Sequence, residues 1–221
     1  MNLTTKYKYM KVIANVITFF YSLCYTYYGD FMNTLITNIH AILSKQDLCI
    51  IAIDGKCCAG KTTLAHKLQS LFDCCIISMD DFFLQPHQRC PQRFFEAGGN
   101  IDYERFMQEV IKPLSQKQAF SYQVFDCSKQ QLTQFIDITL KPLIIIEGTY
   151  CLHPYFHDIY DLKIFMDIDD DEQKARILKR PQHKHERFFN EWLPYEQHYF
   201  NTYQIKKQCH IVLNGGFYET N

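Results

Sequence analysis

The sequence predicts an α/β fold in which a parallel β-sheet core is flanked by helices on both faces. Short apolar runs of strand length, such as residues 48–53 and 143–146, alternate with segments whose apolar residues have helical spacing. These runs are continuously apolar, as parallel strands buried on both faces are. Acidic or glycine residues follow several of them, at the edge of the sheet where ligands of such folds bind.

Four elements are predicted in the first part of this fold. Residues 33–43 place apolar side chains at helical spacing, and residues 48–53 (LCIIAI) form a continuous apolar run that ends at Asp54. Residues 62–71 again have helical spacing, and residues 74–79 (CCIISM) form a second short apolar run. The predicted order is therefore helix, strand, helix, strand.

A helix and two strands are predicted in the middle of the chain. Residues 103–110 have helical spacing, and we expect this helix to stop near Pro113 because proline lacks the N–H that a helix interior uses. Residues 143–146 (LIII) and 162–166 (LKIFM) are apolar runs that predict two more buried strands.

The last predicted elements surround a polar stretch. Residues 170–179 form an amphipathic pattern that predicts a helix ended by Pro181. The polar and basic residues 183–190 are expected to form a mobile lid segment. Residues 210–213 predict a last strand.

Composition excludes several classes of protein. The chain has 221 residues, of which 47% are apolar and 21% charged, so a packed core is expected and disorder is not. Lys plus Arg (23) nearly balance Asp plus Glu (24), which argues against a nucleic-acid partner. The ten cysteines include no C-x-x-C spacing, and we interpret them as reduced thiols of a cytoplasmic protein.

The N-terminal residues 1–31 allow three interpretations. Residues 12–28 are largely apolar and aromatic and follow several lysines, which resembles a signal peptide or membrane anchor. The run has about 17 residues, at the bottom of the spanning range, and polar residues interrupt it. The first interpretation is that the protein truly starts at Met32 and that the residues before it are wrongly included in the sequence. An extra helix ranks second and a membrane anchor third.

A phosphate-binding loop is predicted between the strand 48–53 and the helix 62–71. Gly55, Gly60, Lys61 and Thr62 match G-x-x-x-x-G-K-[ST] at every fixed position. In such a loop the backbone N–H groups cradle phosphate oxygens, the lysine reaches the β- and γ-phosphates, and the hydroxyl binds Mg²⁺. The predicted nucleotide-binding residues are Gly55, Lys56, Cys57, Cys58, Ala59, Gly60, Lys61, Thr62 and Thr63.

Acidic and basic side chains near this loop can have either catalytic or purely structural roles. Asp80, after the second strand, can take a proton from an attacking hydroxyl, and Glu147 stands where a magnesium-associated acid is expected. Both can instead be turn-forming residues that end strands. Arg176 and Arg180 lie four apart on one predicted helix face and can stabilise a transferring phosphoryl group, or can be solvated cations near a helix C-terminus.

An ordered set of motifs carries a family resemblance. IAIDGKCCAGKTTLA, MDDFFL, GGNIDYERF, IIIEGTY and IFMDIDDDEQKARILKR follow one another in the chain. Together they resemble the uridine kinase family, and more broadly the P-loop kinases that include phosphoribulokinase and bacterial pantothenate kinase. The resemblance covers about residues 33–213. It implies a P-loop kinase domain over residues 32–221, with ATP or another nucleoside triphosphate as donor, and Mg²⁺.

The resemblance also implies roles for individual residues. Asp80 matches a general base that activates the nucleoside 5′-hydroxyl, and Phe83 falls where an aromatic residue lines the nucleoside site. Asp102 matches an acid that binds the ribose hydroxyls, and Phe125 falls near a base-contacting Tyr–Asp pair. Arg176 and Arg180 match lid arginines.

Three departures from the family pattern concern the acceptor and the loop. Gln130 falls near the place of the base-contacting histidine, PQHKHER replaces the usual arginine–glycine pattern of the lid, and Cys58 stands where glycine is frequent. If the loop needs a positive φ at Cys58, a residue with a side chain is strained there. The first two departures put the acceptor in question more than the phosphoryl transfer.

The expected function is ATP- and Mg²⁺-dependent phosphoryl transfer to the 5′-hydroxyl of a nucleoside, uridine or cytidine by resemblance. The alternatives are a related kinase that acts on pantothenate or a sugar phosphate, and a nucleotide-binding regulator with little turnover. We expect a small-molecule acceptor and no nucleic acid. Assembly into a homo-oligomer stays open.

Overall fold

The computed structural model describes residue 29, residues 31–156 and residues 159–215. The chain divides into two units, Met1–Lys45 and Gln46–Asn221. In the first unit, helix α1 spans residues 31–43, which confirms the predicted helix 33–43. The apolar run 12–28 lies outside the described residues. Within the described part of the chain, no helix combines the length and apolarity needed to cross a membrane.

The second unit contains a five-stranded parallel sheet and a separate two-stranded hairpin. The sheet has the strand order β2-β5-β1-β6-β7, and β3 pairs with β4 in the antiparallel hairpin. All five predicted strands are present in the sheet, with ends that differ by one or two residues. The strands are β1 (Cys49–Gly55), β2 (Cys74–Ser78), β3 (Phe120–Asp126), β4 (Gln131–Ile138), β5 (Leu143–Glu147), β6 (Leu162–Asp167) and β7 (Ile211–Asn214).

Helices accompany the sheet. The predicted helices 62–71 and 170–179 are confirmed as α2 and α6. The helices of this unit are α2 (Lys61–Gln69), α3 (Pro91–Phe95), α4 (Tyr103–Phe106), α5 (Lys112–Ser115), α6 (Asp170–Leu178), α7 (His185–Arg187), α8 (Leu193–Tyr203) and α9 (Ile205–Gln208).

The helix that begins at Tyr103 continues beyond Pro113, where the sequence predicts its end. A π-helical segment, Met107–Ile111, joins α4 to α5, and α5 ends at Ser115. Pro113 is the second residue of α5. Proline lacks a backbone N–H but is tolerated in the first turn of a helix. The π-helical segment before it shifts the pattern of backbone hydrogen bonds, so the helix continues through Pro113.

The hairpin β3–β4 and the long helix α8 were not predicted. The hairpin strands are only partly buried, so their apolar pattern is weaker than that of the central strands. The predicted lid segment 183–190 consists of short helical turns that lead into α8. Its mobility stays a prediction.

Parallel register brings the ends of the central strands to one level. Glu147 on β5 pairs with Ser78 on β2 and with Ile53 on β1. The residues that follow these strands therefore meet at one edge of the sheet. Phe82 is fully buried against the rings of Phe106 and Tyr122, which anchors the turn that follows β2.

Candidate active site

The phosphate loop (residues 55–63) connects the end of β1 to the start of α2. Gly55 has φ +133°, and a Cβ there would lie 2.1 Å from the carbonyl oxygen of Met166, so only glycine fits. Gly60 has φ +93° and caps α2 in the left-handed region. Cys58 has φ +61°, so the loop does need a positive φ there. For a residue with a side chain this costs about 1–2 kcal/mol.

Lys61 is folded over the backbone of the loop. Its ammonium donates hydrogen bonds to the carbonyl oxygens of Gly55 (2.8 Å) and Lys56 (2.9 Å) and to the hydroxyl of Thr149 (3.1 Å). The residue is only 9% exposed. A cation is therefore fixed beside the amides of the loop, where an anionic phosphate would bind.

Thr62 and Glu147 converge beside the loop. The Thr62 hydroxyl donates to Oε1 of Glu147 at 3.2 Å, and the Ser78 hydroxyl lies 3.5 Å from the same oxygen. Burial raises the pKa of Glu147, which Lys61 opposes. Oxygen ligands such as these fit Mg²⁺, which proteins hold with one or two carboxylates together with substrate phosphates. The described residues contain no group of three or more His, Cys, Asp or Glu placed to hold a metal.

Asp80 lies in the short helical turn Met79–Phe82 that follows β2. Its backbone N–H donates to the Ser78 hydroxyl at 3.3 Å. Asp80 is exposed to solvent, and partial desolvation by the neighbouring protein raises its pKa, while the charges of Lys61 and Arg180 lower it. No hydrogen bond from the described protein reaches its carboxylate, whereas the neighbouring Asp81 accepts one from Tyr122 at 3.0 Å. Asp80 is thus the carboxylate that is available to accept a proton.

The two predicted lid arginines have different surroundings. Arg176 donates to the carbonyl oxygen of Cys58 at 3.2 Å and to Glu172 at 2.8 Å, so it supports the backbone of the loop. Arg180 interacts electrostatically with Asp80 and with the thiol of Cys58. Of the two arginines, only Arg180 acts electrostatically on the candidate base.

The thiols of Cys57 and Cys58 have pKa values that are shifted in opposite directions. A hydrogen bond from Cys57 lowers the pKa of Cys58 to about 6, with Arg180 and Lys61 acting in the same direction. The same hydrogen bond, together with burial, raises the pKa of Cys57. The surroundings of Cys58 therefore favour its thiolate form over that of Cys57.

The predicted acceptor residues occupy structural positions. Asp102 is 3% exposed and caps α4, because one carboxylate oxygen accepts the N–H of Arg105 at 3.0 Å and the other accepts from Gln88 at 2.9 Å. Phe83 is partly buried and forms an isolated antiparallel bridge with Ile101. The two segments are joined through their backbones, because the Asp102 N–H donates to the carbonyl oxygen of Phe82, the residue before Phe83, at 2.7 Å.

Phe125 and Gln130 belong to the hairpin β3–β4. Phe125 is only 2% exposed, and the guanidinium of Arg89 lies 5.7 Å from the centre of its ring. Gln130 is exposed at the turn between β3 and β4. The hairpin nevertheless packs against the turn that carries Asp80, because Tyr122 of β3 donates to Asp81 at 3.0 Å, and burial together with the charge of Asp80 raises the pKa of Cys127.

Sequence reasoning missed several residues that shape the loop. Asp54 is fully buried and accepts hydrogen bonds from Gly55 N–H (2.6 Å), Leu152 N–H (3.0 Å) and the Tyr199 hydroxyl (2.8 Å). Its signal was a carboxylate at the end of a fully apolar run. Glu196 is a second such residue. The sequence pattern that could have revealed it is an acidic residue on the apolar face of a helix, one turn before Tyr199.

Known proteins with similar sequences belong to one family. A profile described as the Phosphoribulokinase / Uridine kinase family matches residues 50–191. The chain is 28% identical over 140 residues to a uridine kinase of Clostridium novyi, which covers 59% of this chain and 65% of the relative. It is also 28% identical over 142 residues to a uridine kinase of Chlamydia pneumoniae, which covers 60% of this chain and 62% of the relative. The chain thus spans slightly less than two thirds of the length of these relatives.

Solved structures with different acceptors in their names share the fold. A possible uridine kinase from Bacillus stearothermophilus aligns with a TM-score of 0.59 at 19% identity, over 81% of this chain and 99% of that chain. A D-glycerate 3-kinase from Cryptococcus neoformans aligns with a TM-score of 0.56 at 11% identity, over 87% of this chain and 97% of that one. These similarities confirm the predicted P-loop kinase fold and, at such identities, show the fold alone.

Proposed function

This chain belongs to the phosphoribulokinase/uridine kinase family, and on that premise we propose that it transfers the γ-phosphoryl group of ATP to the 5′-hydroxyl of a nucleoside. The observation that carries this proposal is the meeting of Lys61, the Thr62–Glu147 pair and Asp80 at one edge of the sheet. Phosphoryl transfer to a hydroxyl requires a cation, a hydroxyl–carboxylate pair that would hold Mg²⁺, and a carboxylate that accepts no hydrogen bond from the described protein.

Each of these residues has a defined task in the reaction. The loop amides and Lys61 bind the β- and γ-phosphates, and Thr62 and Glu147 would hold Mg²⁺, which supplies charge neutralisation when bound. Asp80 accepts the proton of the acceptor hydroxyl as its oxygen bonds to the γ-phosphorus. The bond between that phosphorus and the bridging oxygen breaks, and ADP leaves. Arg180, whose charge acts on Asp80, stabilises the charge on the phosphoryl group.

A nucleoside acceptor is supported by the names of the curated relatives and by the region around Asp102. Its carboxylate already accepts two hydrogen bonds and is only 3% exposed, so ribose hydroxyls reach its remaining acceptor positions only when the surrounding segment opens. Phe83 lies next to the backbone of this segment. We place the activity in the cytoplasm, which the free thiols of the described cysteines support.

One observation favours a second candidate, a related kinase acting on pantothenate or a sugar phosphate. Phe125, the position near the base-contacting pair of the family, is buried and offers almost no ring surface to a base. The base-contacting histidine is also replaced near Gln130. A smaller hydroxyl acceptor does not need these contacts.

The test is magnesium-dependent ADP release in the presence of a panel of acceptors. The panel contains uridine, cytidine, adenosine, pantothenate, glycerate and a sugar phosphate, each with and without a chelator. We expect the highest kcat/KM with a pyrimidine nucleoside. Turnover with only the non-nucleoside acceptors would select the second candidate, and ATP binding without turnover would indicate a nucleotide-binding regulator.

A further inference from the structure

The Glu196 side chain on α8 is buried against the phosphate loop. It is 5% exposed, and its Oε2 accepts the backbone N–H of Cys57 at 2.9 Å. Its Oε1 accepts from the amide of Gln173 at 2.9 Å. Gln173, which is equally buried on α6, also donates to the carbonyl oxygen of Cys57 at 3.1 Å. Two buried side chains from different helices therefore hold both polar groups of one loop residue.

Cys57, the residue that these side chains bind, directly precedes Cys58, whose backbone is strained. Cys58 has φ +61°, and Arg176 on α6 donates to its carbonyl oxygen at 3.2 Å. A strained backbone persists only where its surroundings over-determine it. The contacts from α6 and α8 supply that constraint.

Burying this carboxylate is costly, and docking of the helix does not require it. The described structure gives Glu196 no salt bridge, so its desolvation is offset only by hydrogen bonds and by the field of Lys61. Helix α8 is already fixed by Tyr199, whose buried hydroxyl donates to Asp54 at 2.8 Å. A residue whose sole task was to dock α8 could be apolar at lower cost.

We propose that Glu196 is a positioning residue for donor binding, which anchors the Cys57 peptide so that the following loop amides converge on the phosphates of ATP. The inference rests on the proposed function for its donor, MgATP. Gln173 shares the task because it bonds to both Glu196 and Cys57. The effect belongs to the donor side, so the acceptor is expected to bind independently of Glu196.

The test compares Glu196→Ala and Glu196→Gln with Gln197→Ala, an exposed position on the same helix. MgATP affinity is measured by calorimetry, the KM values of donor and acceptor by steady-state kinetics, and stability by thermal unfolding. We expect Glu196→Ala to weaken MgATP binding about tenfold, the loss expected for one hydrogen bond to a charged group. The acceptor KM should be unchanged, and Gln197→Ala should match the wild type.

The glutamine variant separates positioning from folding. Its amide oxygen can still accept the Cys57 N–H, so we expect MgATP affinity within about threefold of the wild type. If Glu196→Ala lowers the unfolding temperature while MgATP affinity and donor KM stay at the wild-type values, the inference is wrong. If that variant does not fold, Gln173→Ala replaces it, and wild-type MgATP affinity in Gln173→Ala would equally overturn the inference.

The outcomes also distinguish this inference from the proposed function. A wild-type protein that binds MgATP but phosphorylates no acceptor would reject the proposed function, while the affinities of the variants would still decide the role of Glu196. A wild-type protein that binds no MgATP would reject both.

Discussion

The donor side and the acceptor side of the candidate site are built in different ways. On the donor side, nine consecutive residues form the phosphate loop, and Lys61 is fixed by hydrogen bonds to the carbonyl oxygens of that same loop. On the acceptor side, Asp102 caps a helix and Phe125 is buried in a hairpin. The phosphate cradle itself is thus one contiguous segment held by distant side chains such as Glu196, whereas the acceptor residues Phe83, Asp102 and Phe125 come from separate segments.

This difference explains why phosphoryl transfer is better supported than the acceptor. A backbone cradle tolerates changes of side chain, including cysteines at positions 57 and 58, as long as its dihedral angles are reached. An acceptor pocket is defined by the side chains themselves. Solved kinases that share this fold carry different acceptors in their names, and a fold alone does not define an acceptor.

The largest effect is expected from Lys61→Ala, which removes the cation of the donor side. We expect turnover to fall by on the order of 10³–10⁵-fold, the range for a cation that stabilises a transferring phosphoryl group. Lys67→Ala, an exposed position on the same helix, is the matched control. ADP release at saturating acceptor measures both. Retained transfer in Lys61→Ala would remove the phosphate-loop assignment.

Asp80→Asn tests the residue at the junction of the two sides. We expect kcat to fall by about 10²–10⁴-fold, because no base accepts the proton, while MgATP binding is kept. The raised pKa of Asp80 gives a second expectation. Activity needs the ionised carboxylate, so it should be lost as the pH falls through a value above the ordinary aspartate pKa of about 4. Near-full activity in Asp80→Asn would reject the assignment of the base.

A pair of substitutions at Asp102 sharpens the acceptor side. Asp102→Ala removes the cap of α4 and should lower the free energy of unfolding by about 1 kcal/mol. Asp102→Asn keeps an acceptor for the Arg105 N–H, so stability should stay closer to the wild type. If Asp102 also binds ribose, both variants raise the nucleoside KM and leave the ATP KM unchanged. An unaltered nucleoside KM in Asp102→Asn would restrict the residue to its structural role.

The smallest effect on turnover, but a specific chemical signal, is expected at Cys58. Because its pKa is lowered to about 6, alkylation by iodoacetamide should reach half its plateau rate near that pH. Cys57→Ala removes the hydrogen bond to the thiolate and should move this midpoint to higher pH. Mass spectrometry follows Cys58, with the exposed Cys90 as internal reference. MgATP should protect Cys58, and equal labelling with and without it would contradict a thiol inside the phosphate site.

The sequence predicts most of the sheet and the donor loop because their signals are local. Residues 48–53 and 143–146 are continuously apolar, and the glycine, lysine and threonine of the loop have fixed spacing. The hairpin β3–β4 escaped prediction because its strands are partly exposed and gain their packing from distant residues such as Phe82. Glu196 and Asp54 escaped it because a buried carboxylate makes sense only once its donors are known. Important donors lie far from these carboxylates in the sequence, as Cys57 does from Glu196 and Tyr199 from Asp54.

The central claim is that Asp80 and the phosphate loop together transfer phosphate to a nucleoside hydroxyl. Its most direct test follows ATP labelled at the γ-phosphate, incubated with Mg²⁺ and uridine or cytidine, for the wild type and for Asp80→Asn. We predict label in the nucleoside 5′-monophosphate with the wild type and almost none with Asp80→Asn. Label that appears only in free phosphate, or equally in both proteins, would contradict the claim.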